Sequence, residues 1–298
     1  MRVLITGANG VLGLSSIRAL RADGHDVVAM VRSAAAEEVV GDLGAEPVPG
    51  SVHDADALLA AMQGCDAVAN LATRIPIGAG ALRPGSLKAV DRIRLYGSRT
   101  VAQAARASGV RRLVQQSLSF IYADAGDAWI DERSPVDVTR ATEPLVVAEE
   151  NAQAFGGETV SLRFGLLTGD DRNTAWLMGR AARGRSIGLG SGDSWMHVVH
   201  TDDVGTAVAA ALTVPPGTYN VGAEPVRRRD YADVIAAAAG RREAHFLPPW
   251  VLRAGGEKLE ILVRSQRVTS RRFQEASGWT PSRPVLDSSW LDGLLAHA

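Results

Sequence analysis

The chain has 298 residues, 46% of them apolar, with 32 basic against 33 acidic residues and a formal net charge of −1. That much apolar material supports one large α/β domain, or a nucleotide-binding domain with a smaller partner, and excludes a largely disordered chain. The balanced charge gives no general attraction to nucleic acid or to acidic membranes, and the single cysteine, Cys65, excludes an intrachain disulfide or a Cys-based metal cluster.

Short apolar runs alternate with helical spacing, the pattern of βαβ units around a parallel sheet. Val3-Leu4-Ile5 reads as the first strand, and Val11 to Leu20 as the helix after it. Asp26 to Val31 is the second strand, Pro47-Val48 a weak third, and Ala67 to Leu71 the fourth. Asp54 caps a helix through Leu58 and Met62 that stops at Gly64. A long helix spans roughly 86–108 and ends at Gly109. Arg112 to Gln116 and Thr159 to Arg163 are strands five and six, which makes a doubly wound sheet.

After Arg163 the alternation breaks down, and Gly and Arg become dense through 184–190. Thr201-Asp202-Asp203 reads as the N-cap of an Ala-rich helix, and Thr218 to Val221 as a strand. Helices over 230–239 and 249–263 follow. The expected division is a dinucleotide-binding domain over 1–165, to which 193–222 returns, and a small substrate-binding lobe made of 166–192 and 223–298. The N-terminal apolar run is too short for a signal peptide, and no stretch approaches the roughly 18 apolar residues of a membrane span. A soluble protein of the reducing cytoplasm is the expectation, with no membrane and no nucleic-acid partner.

Strand one runs into Thr6-Gly7-Ala8-Asn9-Gly10-Val11-Leu12-Gly13, a G-x-x-G-x-x-G spacing between strand and helix. Gly7 permits the tight turn, Gly10 lets the backbone approach a pyrophosphate, and Gly13 lets helix pack closely on strand. The helix N-terminus supplies free N–H groups. At the end of strand two, Val31-Arg32-Ser33 offers an arginine where a carboxylate would hold the ribose hydroxyls of NAD. Arg32 favours NADP, with NAD as the alternative.

With these residues in hand, the chain resembles the extended short-chain dehydrogenase/reductases, the NAD(P)-dependent epimerase/dehydratase-like family. Thr6 to Gly13 is similar to the family's cofactor loop, Asn70-Leu71-Ala72 to its strand-four motif, and Ser117 to Tyr122 to its strand-five motif. His200 to Val204 and Tyr219 to Gly222 are similar to segments of its C-terminal half. The resemblance implies a Rossmann-type doubly wound parallel sheet with a small C-terminal substrate-binding lobe. It implies a cofactor held by Gly7, Asn9, Gly10, Val11, Leu12, Gly13, Arg32, Ser51, Val52, Leu71, Ala72, Thr73 and Ser117. A homodimer formed through the fourth and fifth helices is a further expectation from the resemblance.

The departures bear on chemistry. The family's tyrosine passes a proton to or from the substrate oxygen, and a lysine four residues later lowers its pKa. Lysine stands only at 88 and 258, and no Tyr-x-x-x-Lys exists in the chain. The motif falls on Ala141 and Leu145, and the usual strand-five Ser/Thr falls on Leu118, with hydroxyls beside it at Ser117 and Ser119. Ser51-Val52 replaces the family's Asp-hydrophobic pair near the adenine.

Three readings of function follow. The first is an NAD(P)-binding oxidoreductase or epimerase acting on a small carbonyl- or hydroxyl-bearing metabolite, with substitute acid/base groups. Its candidates are Tyr122 for the proton, Ser117 and Ser119 for a substrate oxygen, and His197 bordering the substrate. The second is a repurposed non-redox enzyme carrying out cyclisation, elimination or epimerisation with His197 as base, or His200, which resembles a structural residue of the family. The third is a catalytically silent NADP-binding sensor or partner protein. Arg74 and Arg94 are candidates for an anionic substrate group. Trp176, Trp195, Phe246, Trp250, Leu259 and Leu262 offer an aromatic and apolar cover. The sequence shows no metal-ligand cluster: His197 and His200, three apart on a strand, face opposite ways.

Overall fold

The computed structural model describes residues 1–78, 80, 83 and 85–295. The first half is a regular alternation: β1 (Arg2–Thr6), α1 (Val11–Ala22), β2 (Asp26–Val31), α2 (Ala34–Asp42), β3 (Glu46–Pro49), α3 (Ala55–Ala61) and β4 (Ala67–Asn70). The long helix then runs as α4 (Lys88–Arg92), a π-helical turn (Ile93–Gly97) and α5 (Ser98–Ala107), and leads into β5 (Arg112–Leu118). A short β6 (Trp129–Ile130), α6 (Glu143–Gln153) and β7 (Glu158–Phe164) complete this half.

The second half is less regular. β8 (Leu166–Thr168), α7 (Arg172–Ala182), β9 (Trp195–Met196) and β10 (Val198–His200) precede α8 (Thr201–Ala210) and β11 (Gly217–Val221). β12 (Val226–Arg227), α9 (Arg228–Ala238), α10 (Pro249–Gly255), α11 (Glu257–Val263), β13 (Arg267–Val268) and α12 (Arg271–Ser277) follow.

Seven strands form one sheet in the order β11-β7-β5-β4-β1-β2-β3, and every pair is parallel. The chain starts in the middle and winds outward both ways, which is the Rossmann arrangement and places the reversal of winding between β1 and β4. Central strands are buried on both faces. Val3, Leu4 and Ile5 are fully buried, which is why they read as a continuous apolar run and not as an alternating one. Val27, Ala29 and Ile17 pack on one face of the sheet with Val204 and Val208 of α8, while Leu4, Val28 and Val68 pack on the other with Leu58, Val101 and Ala105.

Two details of the second half differ from the sequence expectation. The cap of α8 is His200, whose Nδ1 accepts the Asp202 N–H at 3.2 Å. Asp203 instead reaches the C-terminal segment and accepts the Ser282 N–H at 2.7 Å. The helix expected over 249–263 breaks at Gly256, which has φ +56° and ψ −150°, outside the range of an L side chain. α8 lies directly on α1: the Ser15 hydroxyl donates to Asp202 O and accepts the Gly205 N–H, and an added Cβ at Gly205 would run into Ser15 O. Only a glycine allows that approach. Among the described residues, no helix is long and apolar enough to cross a membrane.

Candidate functional site

The carboxyl ends of β1 to β5 lie on one edge of the sheet, and the topology brings most of the sequence candidates there. Gly7 has φ +69°, and an added Cβ would lie 2.7 Å from the Ala72 Cα, so the turn after β1 abuts the segment after β4 at the reversal point. An added Cβ at Gly13 would be driven into the carbonyl oxygens of Gly7 and Ala8, so α1 sits tightly against its own entry loop. Gly10 is the N-cap of α1, no side chain caps the helix, and Asn9 and Gly10 are exposed. The first N–H groups of α1, from Val11 on, therefore face an open edge with the positive end of the helix dipole behind them.

A buried polar ladder braces this edge from beneath. Thr6 Oγ1 donates to Asn70 Oδ1 at 2.6 Å, Asn70 Nδ2 to Gln115 Oε1 at 2.8 Å, and Gln115 Nε2 to Gln116 O at 2.7 Å. Asn70 is thus occupied in tying β1 to β4 and β5. Leu71 is buried, Ala72 and Thr73 are half-buried, and Thr73 Oγ1 has no hydrogen-bond partner. Ser117 and Ser119 at the end of β5 are fully buried, and their hydroxyls likewise lack partners. Buried hydroxyls are normally satisfied, and these three stand without a partner at the ends of the adjacent strands β4 and β5.

At the ends of β2 and β3, Arg32 is exposed, Ser51 is half-buried, and Val52 is packed in the core. Val52 sits against Gly97, where an added Cβ would lie 2.7 Å from Val52 Cγ2 and 3.5 Å from His53 Cε1. The His53 imidazole is held below its ordinary pKa by burial first, then by the charges of Arg92 and Arg32. The charges of Arg92 and Arg32 thus both act on the imidazole that follows β3. Arg92 and His53 escaped the sequence reading because they reach Arg32 only through the fold.

The π-helical turn carries Arg94, which is 8% exposed. Neither its Nε nor its Nη2 has a hydrogen-bond partner, and burial lowers its pKa to about 10 despite the attraction of Asp91. Where the family's proton relay would stand, Ala141, just before α6, is half-buried and Leu145 on α6 is packed in the main core.

Tyr122 does not join the edge. It is fully buried, its hydroxyl donates to Asn220 Oδ1 at 2.8 Å and accepts from Arg163 Nη1 at 2.9 Å. Burial raises its pKa above 10. A phenol committed on both sides and harder to ionise than usual is a packing residue. Behind it, Arg163 is paired with Glu149 by two bonds of 2.9 and 2.7 Å.

His197 is 2% exposed and lies against Gly222, and neither ring nitrogen has a partner. Burial lowers its pKa from 6.5 to about 3, so the folded chain holds a neutral ring at neutral pH. Between these two values the unfolded chain binds a proton that the folded chain refuses. The stabilisation is complete above pH 6.5 and is lost as pH falls, by up to about 1.4 kcal/mol per pH unit. Replacing His197 by Leu is expected to flatten the decline of the urea midpoint between about pH 6.5 and 4.5 while leaving stability at pH 7.5 unharmed, since no hydrogen bond is lost. An unchanged slope would place the acid sensitivity elsewhere.

The aromatic residues divide. Trp176 lies over Gly78 in the segment after β4, with the Arg180 guanidinium 5.1 Å from its ring centre. Trp195 is stacked between Arg227 and Arg267, Phe246 packs on Gly188, and Trp250 is 67% exposed. Of the four, Trp176 is the one that packs on the segment after β4.

A model of the NAD dependent epimerase/dehydratase family matches residues 3–222. A 3-diazoavenalumate denitrifying reductase of Streptomyces sp is 32% identical over 316 aligned residues that take in 99% of each chain. A 2-alkyl-3-oxoalkanoate reductase of Stenotrophomonas maltophilia is 30% identical over 262 residues, 80% of this chain and 76% of the relative. The crystal structure of human epimerase family protein SDR39U1 with NADPH superposes with a TM-score of 0.80 at 24% identity and covers all of both chains, a likeness of fold.

Proposed function

Because the chain belongs to the NAD dependent epimerase/dehydratase family of extended short-chain dehydrogenase/reductases, we propose that it is an NADPH-dependent reductase whose hydride acceptor needs no proton from the protein. The observation that carries this reading is a conjunction at one sheet edge. A glycine cradle and three orphaned hydroxyls lie beside a helix that carries Leu145 where the proton relay would be.

The residues suit the cofactor. Gly7, Gly10 and Gly13 with the first turn of α1 would hold the pyrophosphate, and Val52 would back the adenine. Arg32 and Arg92 beside His53 would take the 2′-phosphate. Thr73, Ser117 and Ser119 would hydrogen-bond the ribose, the carboxamide or the substrate at the far end. NADPH supplies a hydride when bound. The protein's part is to position the acceptor, with Leu145 and no lysine at the relay position.

A ketone gains a negative oxygen as it takes up hydride and requires a proton at once. A cationic acceptor does not. Hydride added to the terminal nitrogen of an arenediazonium gives a neutral aryldiazene; its N–H and C–N bonds then break to release dinitrogen, and the proton that leaves nitrogen is returned to carbon to form the C–H bond. Ar–N2+ plus hydride becomes Ar–H plus N2, balanced without an external proton. The full-length Streptomyces relative, named for denitrifying a diazo compound, supports this class.

The test follows absorbance at 340 nm with 4-carboxybenzenediazonium and, separately, with acetoacetate, after subtraction of the rate without enzyme. NADPH oxidation with the diazonium, proportional to enzyme, is expected. Turnover of the ketone alone would show that a proton donor exists and would overturn this acceptor; turnover of neither would favour a silent sensor or non-redox chemistry. For the cofactor, Arg32→Asp is expected to weaken NADPH binding about 10- to 100-fold, the worth of one charged hydrogen bond, while NADH changes little. Equal losses for both would remove Arg32 from the 2′-phosphate.

A further inference from the structure

We propose that Arg94 is the anchor for a carboxylate group of the substrate, gripped through the Nε–Nη2 edge of its guanidinium. The inference rests on the reductase reading above and names the class of molecule that site accepts: a carboxylate-bearing substrate.

Arg94 is a cation whose Nε–Nη2 edge has no partner among the described residues. Arg94 is 8% exposed, and its Nε and Nη2 make no hydrogen bond. A guanidinium keeps its proton at neutral pH, and burying one without paired acceptors is costly. Asp91, three residues earlier, adds attraction but does not bond either nitrogen. The two unpaired atoms share the edge that meets a carboxylate with two parallel N–H···O bonds, a geometry that arginine has and lysine lacks.

The second observation is position. Arg94 stands in a π-helical turn, an irregularity frequent at functional sites. The turn is fixed on both sides. Gly97 packs on Val52 at the cofactor edge, and Asn151 of α6 donates to Leu95 O at 3.1 Å and Ser98 Oγ at 2.9 Å. Arg94 therefore belongs to a turn that touches the edge of the sheet through Gly97 and α6 through Leu95 and Ser98. The cationic charge missing from α6 is supplied from the neighbouring helix, on a group shaped to bind an anion and not to move a proton. The cofactor's own phosphates have the first turn of α1 and Arg32, which leaves Arg94 for the substrate.

The test compares wild type, Arg94→Met and Arg94→Lys. Each is first titrated with NADPH alone, then melted with saturating NADPH in the presence of cinnamate or of cinnamamide, its uncharged counterpart. Cinnamate is expected to raise the Tm of the wild type and cinnamamide is not. Arg94→Met should lose the cinnamate shift, bind NADPH within about threefold of wild type, and melt without ligand at the same or a higher temperature, because an unpaired buried charge has gone. Arg94→Lys should keep a residual shift with affinity reduced about tenfold or more. Three results overturn the proposal: no cinnamate shift in the wild type, an equal shift in Arg94→Met, or a fall of several degrees in the ligand-free Tm of Arg94→Met, which marks a structural arginine. A tenfold loss of NADPH affinity in Arg94→Met would assign the guanidinium to the cofactor's phosphates. Failure of the wild type to bind NADPH in the first titration would instead strike the reductase reading itself.

Discussion

Alanine at position 10 is expected to weaken NADPH binding about 100-fold while leaving the Tm of the ligand-free chain within about 2 °C of wild type, since the lost affinity, about 2.7 kcal/mol, falls on the bound state alone. Gly10 is exposed, and an added Cβ would come within 3.4 Å only of the Gly7 carbonyl oxygen, at 3.3 Å, so the fold accepts it with a small adjustment. The methyl group would stand over the first turn of α1, where the backbone must approach a pyrophosphate. Gly13 is the contrast. There an added Cβ would meet two carbonyl oxygens of the same loop, and Gly13→Ala is expected to lower both stability and binding. Calorimetric titration with NADPH and a melt of each variant separate the two. Unaltered NADPH affinity in Gly10→Ala would remove the pyrophosphate from this loop.

The largest effect on stability is expected at Glu149. Its carboxylate takes both Nε and Nη2 of Arg163, with the side chains 6% and 11% exposed. Removing the acid leaves a buried guanidinium that retains only the Tyr122 hydroxyl. Breaking such a pair typically costs about 3–5 kcal/mol. At about 2–4 °C per kcal/mol for a chain of this size, Glu149→Ala should melt about 10 °C lower. Glu149→Leu combined with Arg163→Met should recover most of that loss, because an apolar pair of similar volume leaves no orphaned charge. A loss of under 1 kcal/mol in Glu149→Ala would mean that water reaches the pair. The network also explains why Tyr122 is unsuited to proton transfer: Asn220 and Arg163 hold its hydroxyl in place as part of the seam between β5, β7 and β11.

How much of this was legible in the sequence depends on the range over which each feature is encoded. β1, β2 and β4 announced themselves because central parallel strands are apolar on both faces, and the Gly7–Gly13 loop because its spacing is local. The breaks were harder. Gly255-Gly256 stood inside an otherwise helical apolar pattern, and a π-helical turn leaves the spacing of Val90, Ile93 and Leu95 nearly unaltered. His200 as the cap of α8 was hidden by the better-known capping residues beside it. The partners of Tyr122 lie 41 and 98 residues away, and Arg32, His53 and Arg92 meet only when β2, β3 and α4 are assembled. No periodicity encodes such meetings, nor does it say that Arg94 will be buried without an acceptor.

The account turns on NADPH being the molecule for which the edge of the sheet is shaped. The most direct measurement is a calorimetric titration of the wild-type chain with NADPH and with NADH under one salt and pH condition. Micromolar or tighter binding of NADPH, at least tenfold stronger than NADH, is the result predicted by the glycine loop and by Arg32, His53 and Arg92. Binding of neither nucleotide, or a preference for NADH, would contradict it.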